Sequence, residues 1–291
     1  MSAQSRPAVR VIVTADDFGL SPAVDQGILD AFQRGVVRNT ALLVNFPDVR
    51  ESVERLASAE GLEVGIHLNL TAGPPVLPPH EVPSLLTSTG VFPGLPRFFA
   101  RVATRRVKLA EATREWAAQL ELGQRLGCRF TSITSHQHVH MLPSLAGVAV
   151  HLARQFGIPA VRLSRFHTAS MFRPLRPKAV LLAPYGRAAR RALAAGGIVH
   201  NDFVVEIAPR PHDATQQFCS MIRRLPAGVF EVVSHPGYID PVLRQRDALV
   251  EHRSLDLAVL TAPEVGALWQ DGTRALSTFG ALVSERQAAV V

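Results

Sequence analysis

Two carboxylates stand side by side at Asp16 and Asp17, and imidazoles recur at His67, at His136, His138 and His140, and at His235. Each set follows a short apolar run: residues 11–13, 62–66, 130–134 and 229–233. Carboxylate oxygen and neutral imidazole nitrogen are the donors that zinc and other first-row divalent metals take. Three protein ligands leave positions open for water and substrate, and a metal makes water a nucleophile near neutral pH. The plain alternative at each position is a helix-capping aspartate or a packed structural histidine. The same donor chemistry at four strand ends outweighs it. His136, His138 and His140 alternate, so an extended segment would put all three on one face. Two of them could chelate one ion, or one could bind while the others pack or touch substrate. Spacing leaves these alternatives open.

Bringing donors from four separate runs together requires a parallel sheet whose strands all end at one rim. The pattern supplies one. Strand-like runs at 11–13, 40–44, 62–66, 130–134, 160–163, 202–207 and 229–233 alternate with helical periodicity at 22–33, 48–57, 97–126, 143–156, 177–195 (interrupted at 184–186) and 241–268. This is the signature of βαβ units. Ser21 and Pro22 read as N-cap and first helical residue, and Gly127 closes the 97–126 helix. Residues 72–96 are rich in Pro and Gly and read as a long loop covering or shaping a site. One domain over 1–291 is the simplest account, with 1–8 a flexible N-terminus.

The chain has 291 residues, 47% hydrophobic, with two cysteines in no CxxC spacing. A reducing cytoplasm is the expected location, and no apolar run approaches a membrane span. The net charge of +7 and pI of about 10.5 raise nucleic-acid binding as a reading. Aromatics at 6% leave little to stack bases on, so none is expected. Solvated helix faces, or attraction to an anionic partner, explain the charge as well.

The segments Thr14-Ala15-Asp16-Asp17-Phe18-Gly19, His67-Leu68-Asn69-Leu70-Thr71, Ser135-His136-Gln137-His138-Val139-His140 and His235-Pro236-Gly237 resemble the YdjC-like (ChbG-type) carbohydrate deacetylases. The late segment Leu260-Thr261-Ala262-Pro263-Glu264-Val265 resembles that family too, so the likeness runs in order along nearly the whole chain. It implies an α/β fold, a deformed (β/α) barrel of mostly parallel strands related to NodB-type polysaccharide deacetylases. It implies removal of N-acetyl groups from chito-oligosaccharides or related sugars with one divalent metal ion, zinc or magnesium. Asp17, His67 and His136 would hold the metal, Asp16 would be the general base toward the attacking water, and His235 the general acid for the leaving amine. His138, His140, Asn69 and Arg162 are candidate substrate contacts, with packing or a salt bridge as the alternative for His138, His140 and Arg162. Relatives commonly carry an acidic residue two positions before His136, where this chain has Thr134, so a histidine's neighbour is expected to differ here. The Ser21-Pro22-Ala23-Val24 entry and the proline-rich 74–79 loop also resemble the hopanoid-associated (HpnK-like) branch, which makes a glycosylated lipid precursor a second substrate class. A phosphoester or cyclic-amide hydrolase and a non-catalytic sugar-binding protein are the other readings. The expected partner is a small acetylated sugar or glycolipid, and the chain is a monomer or a homodimer.

Overall fold

A computed structural model of the chain describes residues 8–167, 185–207 and 212–288. Strand β1 (Val9–Phe18) is the hub, since burial on both faces suits its Val-Ile-Val run. It is followed by β2 (Asn39–Leu42), β3 (Glu63–Leu68), β4 (Ser132–Ser135), β5 (Ala160–Val161), β6 (Phe203–Glu206), β7 (Gly228–Ser234) and β8 (Arg274–Ser277). The order is β5-β4-β3-β2-β1-β7-β6, with every strand pair parallel. β8 lies along the first half of β1, through Ile12, and β2 takes over from Thr14. The two edges meet through parallel bridges at Ala160↔Val199 and Phe166↔Val204, so the sheet curls into a deformed barrel.

The α-helices among the described residues are α1 (Pro22–Gln33), α2 (Val49–Ala57), α3 (Leu95–Ala103), α4 (Leu109–Arg125), α5 (Pro143–Gln155), α6 (Gly186–Ala195), α7 (Ala214–Arg223), α8 (Pro241–Arg246), α9 (His252–Leu260), α10 (Pro263–Gly266) and α11 (Phe279–Ala288), and all but the last lie outside the sheet. The larger apolar core lies between these helices and the sheet. A second, smaller one joins Ile12, Ala160, Val199 and Val229 to Phe279 and Leu282. Its members come from β1 and β5, which do not pair, so it lies inside the curl. α11 therefore plugs the barrel at the end where the strands begin. Its first N–H groups are capped from the strands: Phe279 donates to Asn39 Oδ1 at 3.4 Å and Gly280 to the Glu63 carboxylate at 2.9 Å. Phe279 is fully buried, and truncating it to alanine should cost roughly 3–5 kcal/mol.

The structure departs from the sequence reading in three places. The helix expected over 97–126 is two, α3 and α4. Arg105 adopts φ 56° between them, and Arg106 N–H donates to Arg101 O at 2.8 Å. That is a left-handed helix stop made without glycine, which is why composition hid it. The helical stretch expected over 241–268 is interrupted at 247–251, where Asp247 leaves the helix to reach Arg253. β8 and α11 were not anticipated. Residues 1–7 of the N-terminus expected to be flexible over 1–8, and residues 177–184 of the expected 177–195 helix, lie outside the described residues. The 72–96 loop carries two 3-10 turns, Pro79–Glu81 and Pro83–Leu85, and is pinned by carboxylates of α4. Glu115 accepts from Val76 and Leu77 N–H, and Glu111 accepts from Ser84 N–H.

Candidate metal centre and its surroundings

The register of β1 against β2 shifts between Ala15 and Phe18, and Asp17 sits at φ 74°. This irregularity turns the two adjacent carboxylates apart. Gly19 follows at φ +88°, where a Cβ would lie 2.4 Å from Leu43 O, so only glycine fits the turn. Asp25 of α1 ties the turn down by accepting Gly19 N–H at 2.6 Å and holding Ser52 and Arg55.

Asp17 faces two histidines. Its Oδ1 lies 2.9 Å from His136 Nδ1 and 3.4 Å from His67 Nε2. One donor atom from each of Asp17, His67 and His136 falls within 4.8 Å of the others, and all three residues are buried. The Thr134 hydroxyl lies 2.6 Å from His67 Nδ1 and 3.3 Å from Ile66 O. With the ring donating from Nδ1 to that hydroxyl, Nε2 keeps its lone pair on the side of Asp17. One anionic oxygen and two imidazole nitrogens form a donor set that fits a divalent cation. Arg253 of α9, fully buried, donates to Asp17 Oδ2 at 2.7 Å and to Asp247 at 2.6 Å, leaving Oδ1 for the histidines.

Asp16 points into the barrel. Arg162, at the end of β5, clamps it across the lumen with Nη1 on Oδ2 at 2.6 Å and Nη2 on Oδ1 at 2.8 Å. The same guanidinium holds Glu231 of β7 through Nε at 2.9 Å and Nη2 at 2.7 Å, and Thr14 donates to Glu231 as well. Burial would raise the Asp16 carboxyl, but Arg162, with His67 and His235 beyond it, holds it well below the ordinary carboxylate value. Asp17 is likewise pulled below its ordinary value against burial, by His136 and Arg253. Burial wins at Glu231, whose carboxyl is raised with Asp16 adding to the effect. His235, half-buried, follows β7 directly, and its N–H donates to Asp256 of α9 at 2.9 Å.

The four candidate substrate contacts are all buried and hydrogen-bonded within the protein. The 136–141 segment is not extended: Gln137 and His138 take left-handed φ of 57° and 58°, so the three histidines diverge. His140 is buried with Nε2 donating to Arg162 O at 2.9 Å and Nδ1 accepting from Ser135 Oγ at 2.6 Å. Burial pushes its pKa down to about 3, so it stays neutral. His138 lies between Ser164 Oγ, 2.9 Å from Nδ1, and Glu206, 3.6 Å from Nε2, edge-on to Phe166. The Asn69 side chain donates to Asn45 and Ala72 O and accepts from Thr71 and Ala72 N–H, building its own loop. Arg162 is fully buried on its two carboxylates. Each is a buried polar group whose hydrogen bonds are satisfied inside the protein.

Sequence reasoning missed Glu231, Arg253 and Asp256. A signal existed for the first: an acid in the centre of an apolar strand run, Glu231, requires a buried cation, and Arg162 beside another such run supplies one. No local signal marks Arg253 or Asp256 on α9.

A protein-family model described as YdjC-like protein matches residues 10–271. The carbohydrate deacetylase of Geobacillus stearothermophilus is 35% identical over 262 residues, 88% of this chain and 91% of that protein. The carbohydrate deacetylase of Mus musculus is 34% identical over 292 residues, 92% and 93% of the two chains. A crystal structure from Enterococcus faecalis V583, of a protein named for cellobiose-phosphate cleavage, superposes with a TM-score of 0.78 at 29% identity. The match covers 96% of this chain and 99% of that one.

Proposed function

From the premise that this chain belongs to the YdjC-like family, we propose that it is a carbohydrate deacetylase, a metal-dependent hydrolase that removes N-acetyl groups from a small amino-sugar. Asp17, His67 and His136 would hold the ion, which when bound supplies Lewis-acid polarisation of the amide and acidification of water. The observation that carries the reading is that this donor set stands beside an aspartate clamped in its ionised form.

The remaining work falls to side chains. Asp16 accepts the proton of the attacking water. Arg162 fixes both carboxylate oxygens in place and keeps them charged throughout the working pH range. A carboxylate held that low is a weak base, so it can take a proton only from water already made acidic, which is why such a site needs a Lewis acid beside it. Arg253 fixes the Asp17 carboxylate by Oδ2, and Thr134 fixes the His67 ring, so neither ligand has to be ordered at each turnover. His235, electrostatically coupled to Asp16 and anchored through its backbone N–H to Asp256, donates a proton to the leaving nitrogen.

The test is acetate release from N-acetylated chito-oligosaccharides, with chelator and with zinc or magnesium restored. Chelator-sensitive, metal-restored release is expected. Release that is indifferent to chelator, or none from any acetylated sugar or glycolipid by metal-loaded protein, would overturn the proposal.

A further inference from the structure

The positive charge of this chain is not spread along it. Residues 122–201 contain no Asp or Glu, yet carry 11 of the 31 Lys and Arg. The other 211 residues hold 20 basic and 24 acidic side chains, a net of −4. The whole excess of +7 therefore comes from one acid-free stretch of 80 residues.

The described parts of this stretch, 122–167 and 185–201, lie along one side of the barrel. The stretch begins at the end of α4, carries α5 and α6, and ends just before β6. α5 and α6 lie against each other closely enough that a Cβ on Gly196 would sit 2.6 Å from Val150 Cγ1. Ala189 and Leu193 are the buried side of α6, while Arg187, Arg190 and Arg191 are exposed at i, i+3 and i+4. Arg154 on α5, and Arg125 and Arg129 at the end of α4, which packs against α5, are exposed as well. Among the described residues none of these six forms an ion pair with a carboxylate. Like charges at helical spacing destabilise the helix that carries them, so this arrangement lacks a structural reason and is relieved by an anionic partner.

We infer that the α5–α6 wall is a docking surface for an anionic lipid bilayer, holding the enzyme reversibly at a membrane through headgroup phosphates. The wall offers charge without stacking groups, since the exposed large apolar side chains among the described residues, Val91, Leu109 and Tyr238, all lie outside it. That favours an array of phosphates over single-stranded nucleic acid. It is independent of which sugar the site accepts.

The experiment is flotation of the full chain with vesicles of phosphatidylcholine alone or with 30% phosphatidylglycerol, at 0.1 M and 0.5 M salt. Binding is expected only to the anionic vesicles and only at low salt. Each exposed arginine near such a surface contributes roughly a fivefold change in partitioning. R187Q/R190Q/R191Q should therefore weaken binding about 100-fold at an unchanged Tm, and R187K/R190K/R191K should retain it. The R97Q/R105Q/R106Q variant, altered at three exposed arginines of α3 and the turn after it, should bind like the parent. No binding to anionic vesicles, an equal loss in that second variant, or tighter binding to duplex DNA or RNA at the same salt would overturn the inference.

Discussion

Arg162→Met probes the electrostatics of the site most sharply. The guanidinium is fully buried and makes four hydrogen bonds of 2.6–2.9 Å to Asp16 and Glu231. Without it, two carboxylates face each other in the lumen with no countercharge. Breaking a buried ion pair by deleting one partner costs about 3–5 kcal/mol. At roughly 2–4 °C per kcal/mol for a chain of this size, Tm should fall by about 6–20 °C at pH 7.5. The loss carries a pH signature. In the parent, the Asp16 carboxyl lies below its ordinary value, so its contribution is complete above the ordinary carboxylate range and lost only as pH falls through and below it. In the variant, burial acts unopposed and raises both carboxyls, so the folded state takes up protons as pH falls from 7.5 to 5.0. The deficit relative to the parent should shrink over that interval. Adding Glu231→Gln should restore part of the Tm. Thermal unfolding followed by circular dichroism at both pH values reads all three effects. A fall of less than about 3 °C, or a deficit equal at both pH values, would refute the reasoning.

Further expectations concern single groups. Thr134→Val removes the acceptor for His67 Nδ1–H and should weaken divalent-metal affinity about 10–100-fold by calorimetry, with Thr134→Ser close to the parent. Asp16→Asn should retain the metal and lose turnover by roughly 10²–10⁴-fold, whereas His67→Ala and His136→Ala should lose both, as metal analysis alongside acetate release would show. His140 titrates near 3 when folded and near 6.5 when unfolded, so the unfolded state alone takes up its proton as pH drops from 7 to 5. Its share of the stability lost over that interval is about 2 kcal/mol, and urea unfolding of His140→Gln should show a loss smaller by that amount.

The sequence was most informative where a signal is local. The alternation of apolar runs with helical periodicity foretold parallel strands ending at one rim, and the strand-end donors Asp17, His67 and His136 do come within reach of one another. Backbone irregularities were illegible: the left-handed Arg105, Gln137 and His138 give no compositional warning, since none is glycine. They split one helix and scattered the 136–140 histidines that a regular strand would have aligned. The partners that hold the site together were also hidden. Arg253 lies 236 residues from Asp17, and Arg162 lies 146 from Asp16. The internal partners of His138, His140 and Arg162 were hidden for the same reason, because a buried guanidinium or imidazole finds its hydrogen bonds across the fold and not along the chain.

The central claim is that one ion at Asp17, His67 and His136 supports deacetylation. The most direct measurement is zinc or magnesium titration into metal-free protein while acetate release from an N-acetylated chito-oligosaccharide is followed. Activity should rise in proportion to bound metal and saturate at one ion per chain. Full release by the metal-free protein, or saturation at two ions, would contradict it.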